Sequence, residues 1–199
     1  MRRYRPAIAL APLMLVGAAA AGCTQVRTAV IHRDTLTDAQ KAIVEIQINH
    51  GSMTIEGSVD RDDREYGVGQ PITVAVKVSQ DAHVAILRVL ANGDTTIVFP
   101  NKAQPKADIA AEEVLSVPGP HDSVTVAVDK PQTVLFEFIA STADDSWLFH
   151  RTPDPASDFA DLGGTTRAIG KDILGGLKIG KGAETAATYL TVKVGGGWF

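Results

Sequence analysis

From residue 43 onward the apolar side chains of this chain recur at every second position, in short runs parted by turn-forming residues. A chain patterned this way folds into sheets, because successive side chains of a strand point to opposite faces. Val44, Ile46 and Ile48 alternate with Glu45 and Gln47, and Ile72, Val74, Val76 and Val78 alternate with Thr73, Ala75 and Lys77. Residues 82–90 are apolar on both faces, with Val84 and Ile86 on one and Ala85, Leu87 and Val89 on the other, the mark of a central strand. Asn92-Gly93 then forms a hairpin turn, since both residues accept positive φ, and residues 95–99 return as the antiparallel partner until Pro100 stops them. Residues 102–111 are a loop around Pro105, and residues 114–117 a short strand closed by Pro118-Gly119-Pro120.

Three more alternating runs follow. Val124, Val126 and Val128 define one, residues 134–139 carry Phe136 and Phe138 on one face of the next, and Leu190, Val192 and Val194 mark the last. About eight strands at short spacing predict a mainly β fold, an antiparallel β-sandwich spanning residues 43–194. Residues 144–182 break the period. Within them Ile169, Ile173, Leu174 and Leu177 fall at helical spacing, weakened by Gly170 and Gly175-Gly176, so one short helix in the C-terminal half is expected to cap the sandwich.

The N-terminus follows a different plan. Arg2, Arg3 and Arg5 make a positive start, residues 7–16 are apolar around Pro12, and residues 17–22 are all small. That is the layout of an export signal, residues 1–22. The apolar stretch, taken to Ala21, is 15 residues long, too short at about 1.5 Å per residue to cross a core of about 30 Å. Ala20-Ala21-Gly22-Cys23 resembles the lipobox of bacterial lipoproteins, in which the cysteine thiol is lipidated and the chain is cut just before it. Cys23 is the one cysteine of the chain. Ordinary cleavage after Ala21, with Cys23 an incidental thiol, is the competing reading. Lipidation on Cys23 would anchor the protein firmly, since each buried methylene contributes about 0.8 kcal/mol and the mature lipoproteins it resembles carry two or three chains. Thr24 stands where an aspartate typically retains lipoproteins at the inner membrane, so the resemblance implies an outer-membrane, periplasm-facing protein of the bacterial envelope. Residues 23–42 are then the lipidated cysteine and a polar tether, within which Thr37-x-x-Gln40 has the form of a capping box.

Composition removes several classes of function. Beyond residue 22 the chain carries 16 Lys+Arg against 23 Asp+Glu, a formal charge of about −7, the reverse of a nucleic-acid binder. A single cysteine excludes intrachain disulfides and cysteine-based zinc sites.

Several motifs resemble a known pattern. Tyr66-Gly67-Val68-Gly69-Gln70-Pro71, Asn92-Gly93-Asp94, Ile97-Val98-Phe99-Pro100-Asn101, Val117-Pro118 and a strand ending Phe138-Ile139-Ala140-Ser141 stand in the order of the bacterial domain of unknown function 4384. The resemblance covers residues 43–141, with an extension to 194 open. It implies a β-sandwich module of bacterial lipoproteins and envelope proteins, and no reaction. Each hallmark also has a folding role: Gly67 and Gly69 permit tight backbone, Asn92-Gly93 turns, Pro100 ends pairing, and Asn101 hydrogen-bonds a reversal. If the motif binds anything, Phe99 and Asn101, with the adjoining residues 102–108, are the exposed positions expected to do so.

Other chemistry is weak. Gly175 to Gly182 nearly spells a phosphate loop, but Gly182 stands where a serine or threonine hydroxyl should ligate magnesium. Asp60 to Glu65 alternates acids with arginines and lacks the glycine of a calcium loop, and His32, His50, His83, His121 and His150 are scattered. No metal, cofactor or catalytic set is expected. At the C-terminus, residues 195–199 form a glycine leash carrying Trp198 and Phe199, either a docking peptide for a partner or a segment that folds back on the sandwich. The expectation is a membrane-anchored envelope lipoprotein whose sandwich binds or assembles with an envelope protein, without catalysis. The alternative is a periplasmic receptor for a small ligand or cell-wall glycan.

Overall fold

The computed structural model describes residues 35–46, 48–177 and 182–195. Cys23, Trp198 and Phe199, and with them the lipidation and docking-tail expectations, lie outside the described residues.

Ten strands and two α-helices make up this region: α1 (Asp38–Val44), β1 (Ile55–Val59), β2 (Glu65–Gly67), β3 (Val74–Val78), β4 (Ala82–Val89), β5 (Thr95–Phe99), β6 (Asp108–Ile109), β7 (Val114–Val117), β8 (Gln132–Ser141), β9 (Ala160–Leu162), α2 (Thr166–Gly176) and β10 (Thr185–Gly195). A small sheet has the order β1-β3-β7, and a large one runs β2-β10-β8-β4-β5-β9, with β6 pairing the start of β4 at Ala82 and His83. Pairing is antiparallel throughout except between β2 and β10, which run parallel. The mainly β, sandwich-like architecture is as the alternation predicts, and β4 is central as its two apolar faces require. The Asn92-Gly93 turn joins β4 to β5, with Gly93 at φ +94 and Asp94 N–H donating to Asn92 Oδ1 at 3.0 Å.

Two separate cores flank the large sheet. Between the sheets, Val84, Ile86, Phe136, Phe138, Leu190, Val192 and Val194 meet Val74, Val76 and Val78. The sheets approach closely at Gly57, where an added Cβ would penetrate the ring of Phe138. On the opposite face, Ala85, Leu87, Val89, Leu135 and Ile139 pack with Ile43, Ile48, Leu148, Phe149, Ile169 and Ile173. Both α-helices and the 3-10 turn Trp147–Phe149 supply that cover, so the fold has three layers: small sheet, large sheet, helices.

The first helix corrects the sequence reading. Polarity puts residues 38–42 in the tether and alternation puts residues 43–48 in a strand, yet Asp38–Val44 is helical. The cause is the capping box: Gln40 N–H donates to Thr37 Oγ1 at 3.3 Å, and Thr37 N–H to Gln40 Oε1 at 3.1 Å. Gln40 is fully buried, and its amide nitrogen donates to Val89 O at 3.2 Å and Thr133 O at 3.0 Å, which ties α1 to β4 and to the start of β8. Helix α2 is as predicted. Its Gly170, read as a weakness, is where α1 comes close: a Cβ there would meet Ile46 Cδ1 at 2.9 Å and Ala42 O at 3.5 Å. Residues 123–128 keep the predicted alternation, with Val124, Val126 and Val128 buried, but are not a laddered strand. They are held by Ile72 N–H to Val126 O and Gly69 N–H to Val128 O, both 2.8 Å, and by the Arg88 guanidinium to Ala127 O at 3.0 Å.

A carboxyl group is buried on the helix side of β8. Glu137, on β8 between Leu135 and Ile139, is 4% exposed, and its Oε2 has no hydrogen-bond partner. Burial pushes its carboxyl well above the usual carboxylate range. The unfolded chain releases this proton near the ordinary value, whereas the folded chain keeps it, so this group lowers stability as pH rises above that value. Glu137→Gln should therefore raise the melting temperature by several degrees near about pH 8, with the gain shrinking toward zero near about pH 4. A gain equal at both ends of a pH series of thermal melts would contradict it. Gln40→Ala removes two buried donors and half of the capping box, and should cost about 2–4 kcal/mol in urea denaturation.

Candidate functional site

The positions singled out from sequence are built into the fold rather than presented by it. Phe99 and Asn101 are each 1% exposed, so the expectation that this loop offers them to a ligand is corrected. At β5 the pairing with β4 shifts register between Ile86 and Leu87, where Ile86 faces Phe99 and Leu87 faces Ile97. Val98 is the extra residue of a bulge, which lets two successive side chains, Val98 and Phe99, enter the inter-sheet core. Asn101 is used up by its own reversal. Its Oδ1 accepts from Ala103 N–H at 2.9 Å and Gln104 N–H at 2.8 Å, while its Nδ2 donates to Val98 O at 2.9 Å. Both residues also flank Pro100, whose peptide bond is cis, as is that of Pro118.

The Tyr66–Pro71 motif is likewise structural. Tyr66 is buried and donates its hydroxyl to Asp60 Oδ1 at 2.7 Å; burial and this acceptor both raise its pKa. Gly69 has φ +74, and Gln70 Oε1 accepts from Gly67 N–H at 2.8 Å, closing the turn. Asp60, though exposed, also accepts from Thr73 N–H at 2.9 Å, so the acid at the head of the Asp60–Glu65 run fastens the residue that leads into β3. At the start of β10, Glu184 accepts from Ser52 and Met53 N–H, both 2.8 Å, and from Gln80 Nε2 at 3.0 Å, contacts that lower its pKa. The leash begins one residue later than read, because Gly195 is the last residue of β10 and pairs with Gly67.

A cleft that the sequence did not single out lies on the helical layer. Its volume is about 510 Å³, and Trp147, Arg151, Leu162, Lys171, Asp172 and Gly175 line it. The 3-10 turn that carries Trp147 is capped by Ser146, whose Oγ accepts from Leu148 N–H at 3.3 Å; Leu148 and Phe149 are buried beneath it. The indole is fixed twice. Its Nε1–H donates to Asp172 O at 3.2 Å, and its Cδ1 lies 3.0 Å from where a Cβ on Gly176 would be. Gly163 and Gly175 leave open space on the cleft side, with nothing within 4 Å of an added Cβ. Two cations, Arg151 and Lys171, thus share the cleft with one carboxylate, Asp172, on a chain of net charge −4.

Next to it, His150 contacts Asp144 through Nε2 at 2.6 Å, and the Asp144 backbone and carboxylate raise its pKa. The only signals of this cleft in the sequence are an isolated tryptophan and a loss of the two-residue period, neither of which specifies a shape. Arg88 is a further half-buried cation. It donates to Ala127 O at 3.0 Å and Thr96 Oγ1 at 3.3 Å, leaving Nε without a partner, in a smaller cleft of about 330 Å³ beside Asp129. Its contacts stitch β4 to β5 and to residues 123–128, a structural clamp.

No curated protein and no solved structure matches this chain. A family model does match residues 65–143, from the start of β2 to just past β8. The Trp147 cleft lies beyond the matched residues. The matching model is described as Domain of unknown function (DUF4384), and the residues it matches carry the glycine turn, the bulged β5 and the Asn101 reversal.

Proposed function

We propose that this protein is a bacterial envelope lipoprotein, fixed by lipid on Cys23 to the periplasmic face of the outer membrane, whose sandwich is a protein-binding and assembly module without catalysis. The observation that carries the reading is the placement of the chain's one cysteine directly after Ala20-Ala21-Gly22, at the end of a positive and then apolar N-terminal segment. Two or three acyl chains on that cysteine would anchor the protein stably. The rest of the reading rests on how the motif residues are used: Phe99, Asn101 and Tyr66 are committed to packing and turns, as suits a scaffold that presents a surface.

Incorporation of an alkyne-bearing fatty acid into the full-length protein, followed by membrane fractionation, tests the anchor. Label and membrane association are expected in the wild type and lost in Cys23→Ala; an unlabelled wild type overturns the anchor. Recovery from native envelopes in mild detergent tests the assembly role. One or two envelope proteins in fixed ratio are expected, reduced at least about tenfold when residues 196–199 are deleted, a loss of about 1.4 kcal/mol in binding. The melting temperature of that deletion should be unchanged. Recovery of the protein alone overturns the assembly role, and partner ratios indifferent to the deletion overturn the tail as a docking peptide.

A further inference from the structure

The cleft beside α2 has the elements of a binding site that the assembly role does not use. It combines one aromatic plane, two cations and one carboxylate around about 510 Å³, within the range of about 300–1,000 Å³ usual for small-ligand pockets. The indole is held before any ligand arrives, by the bond to Asp172 O and by the absence of a side chain at Gly176. A fixed platform avoids the ordering cost that weakens flexible sites.

With Nε1–H already engaged, what Trp147 offers is its ring face. The negative quadrupole of an indole face attracts weakly positive C–H groups, and one face of a pyranose ring is made of such groups. Leu162 and the buried Ile169 extend the apolar surface next to it. Arg151 supplies a planar fork that grips a carboxylate by two parallel bonds, and Lys171 adds a mobile point charge. Asp172 supplies an acceptor for sugar hydroxyls. A neutral sugar would leave both cations unused; a simple anion would leave the indole unused.

We propose that this cleft binds a carboxylated pyranose, with the ring against Trp147, the carboxylate between Arg151 and Lys171, and hydroxyls donating to Asp172. The lining residues Trp147, Arg151, Lys171 and Asp172 are not those on which the anchor and the tail readings rest, so its test reads out independently of both. Uronic acids carry the carboxylate on the ring's exocyclic carbon, whereas muramic sugars carry it on an ether arm; both share the recognised chemistry.

Trp198→Phe in the full-length protein leaves Trp147 as the one indole, so its fluorescence reports the cleft directly. This protein is titrated with glucuronic acid and N-acetylmuramic acid, against glucose and N-acetylglucosamine as neutral counterparts and acetate and phosphate as bare anions. One acidic sugar should bind at least about tenfold more tightly than its neutral counterpart, and its binding should weaken as salt rises. The arm that responds identifies the source, uronic or muramic. Arg151→Ala with Lys171→Ala, both exposed, should reduce that affinity at least about tenfold with the melting temperature unchanged. Equal binding of neutral sugars, equal binding of acetate or phosphate, undiminished affinity in the double variant, or no response to either acid at millimolar concentration would each overturn the proposal.

Discussion

Strand β8 has water on neither face. From Val134 to Ser141 every residue is buried, and each face needs its own cover. The small sheet supplies one, with Gly57 bare so that Phe138 can reach across. The helices and the 3-10 turn supply the other, over Leu135 and Ile139. Removing either layer would expose a continuous apolar surface, and burial of such surface is the dominant favourable term in folding, about 25 cal/mol per Å². The three layers are therefore one structure rather than a sandwich with ornaments.

That constraint also explains the polar groups that are buried. Gln40 sits under α1 because the carbonyls of Val89 and Thr133 need donors once the helix shuts out water. Glu137 is the exception: the same cover desolvates a carboxyl and gives its Oε2 nothing to bond. A buried acid of this kind remains neutral rather than ionising. On the outer side of the same layer, the turn that carries Leu148 and Phe149 into the core turns Trp147 toward α2. The packing that closes the second core thus also sets the aromatic wall of the cleft.

The family match and the sheet have different boundaries. Residues 65–143 contain β2 and β8, yet in the large sheet these two are separated by β10, which lies outside the match. The matched segment thus completes its own sheet only with the C-terminal strand. The helices that cover β8, and the cleft between α2 and the turn that carries Trp147, also come from outside it. The hairpin, the bulge and the reversal at Asn101 lie inside the matched residues, and both α-helices lie outside them.

The sequence by itself determined the local conformations. Alternation placed β3, β8 and β10, because a period of two is the period of a strand; an apolar run on both faces placed β4, and turn residues bounded β5 and β7. Asn92-Gly93 and Gly69 set turns, because positive φ is cheap only for such residues. Those signals are carried by neighbours in the chain. Residues 43–48 misled for the same reason: Ile43, Ile46 and Ile48 are apolar enough for a strand, and the decision lay with Thr37 and Gln40, whose cap starts a helix that only the carbonyls of β4 and of Thr133 keep in place. Phe99 and Asn101 misled because exposure is not a local property; a loop residue is buried or free according to what packs over it. The cleft was invisible for the same reason, since Trp147, Arg151 and Lys171 are neighbours only after α2 lies against the turn. Local sterics and hydrogen bonding decided the elements, while burial of both faces of β8, which depends on residues far apart in sequence, decided which side chains remained available to meet another molecule.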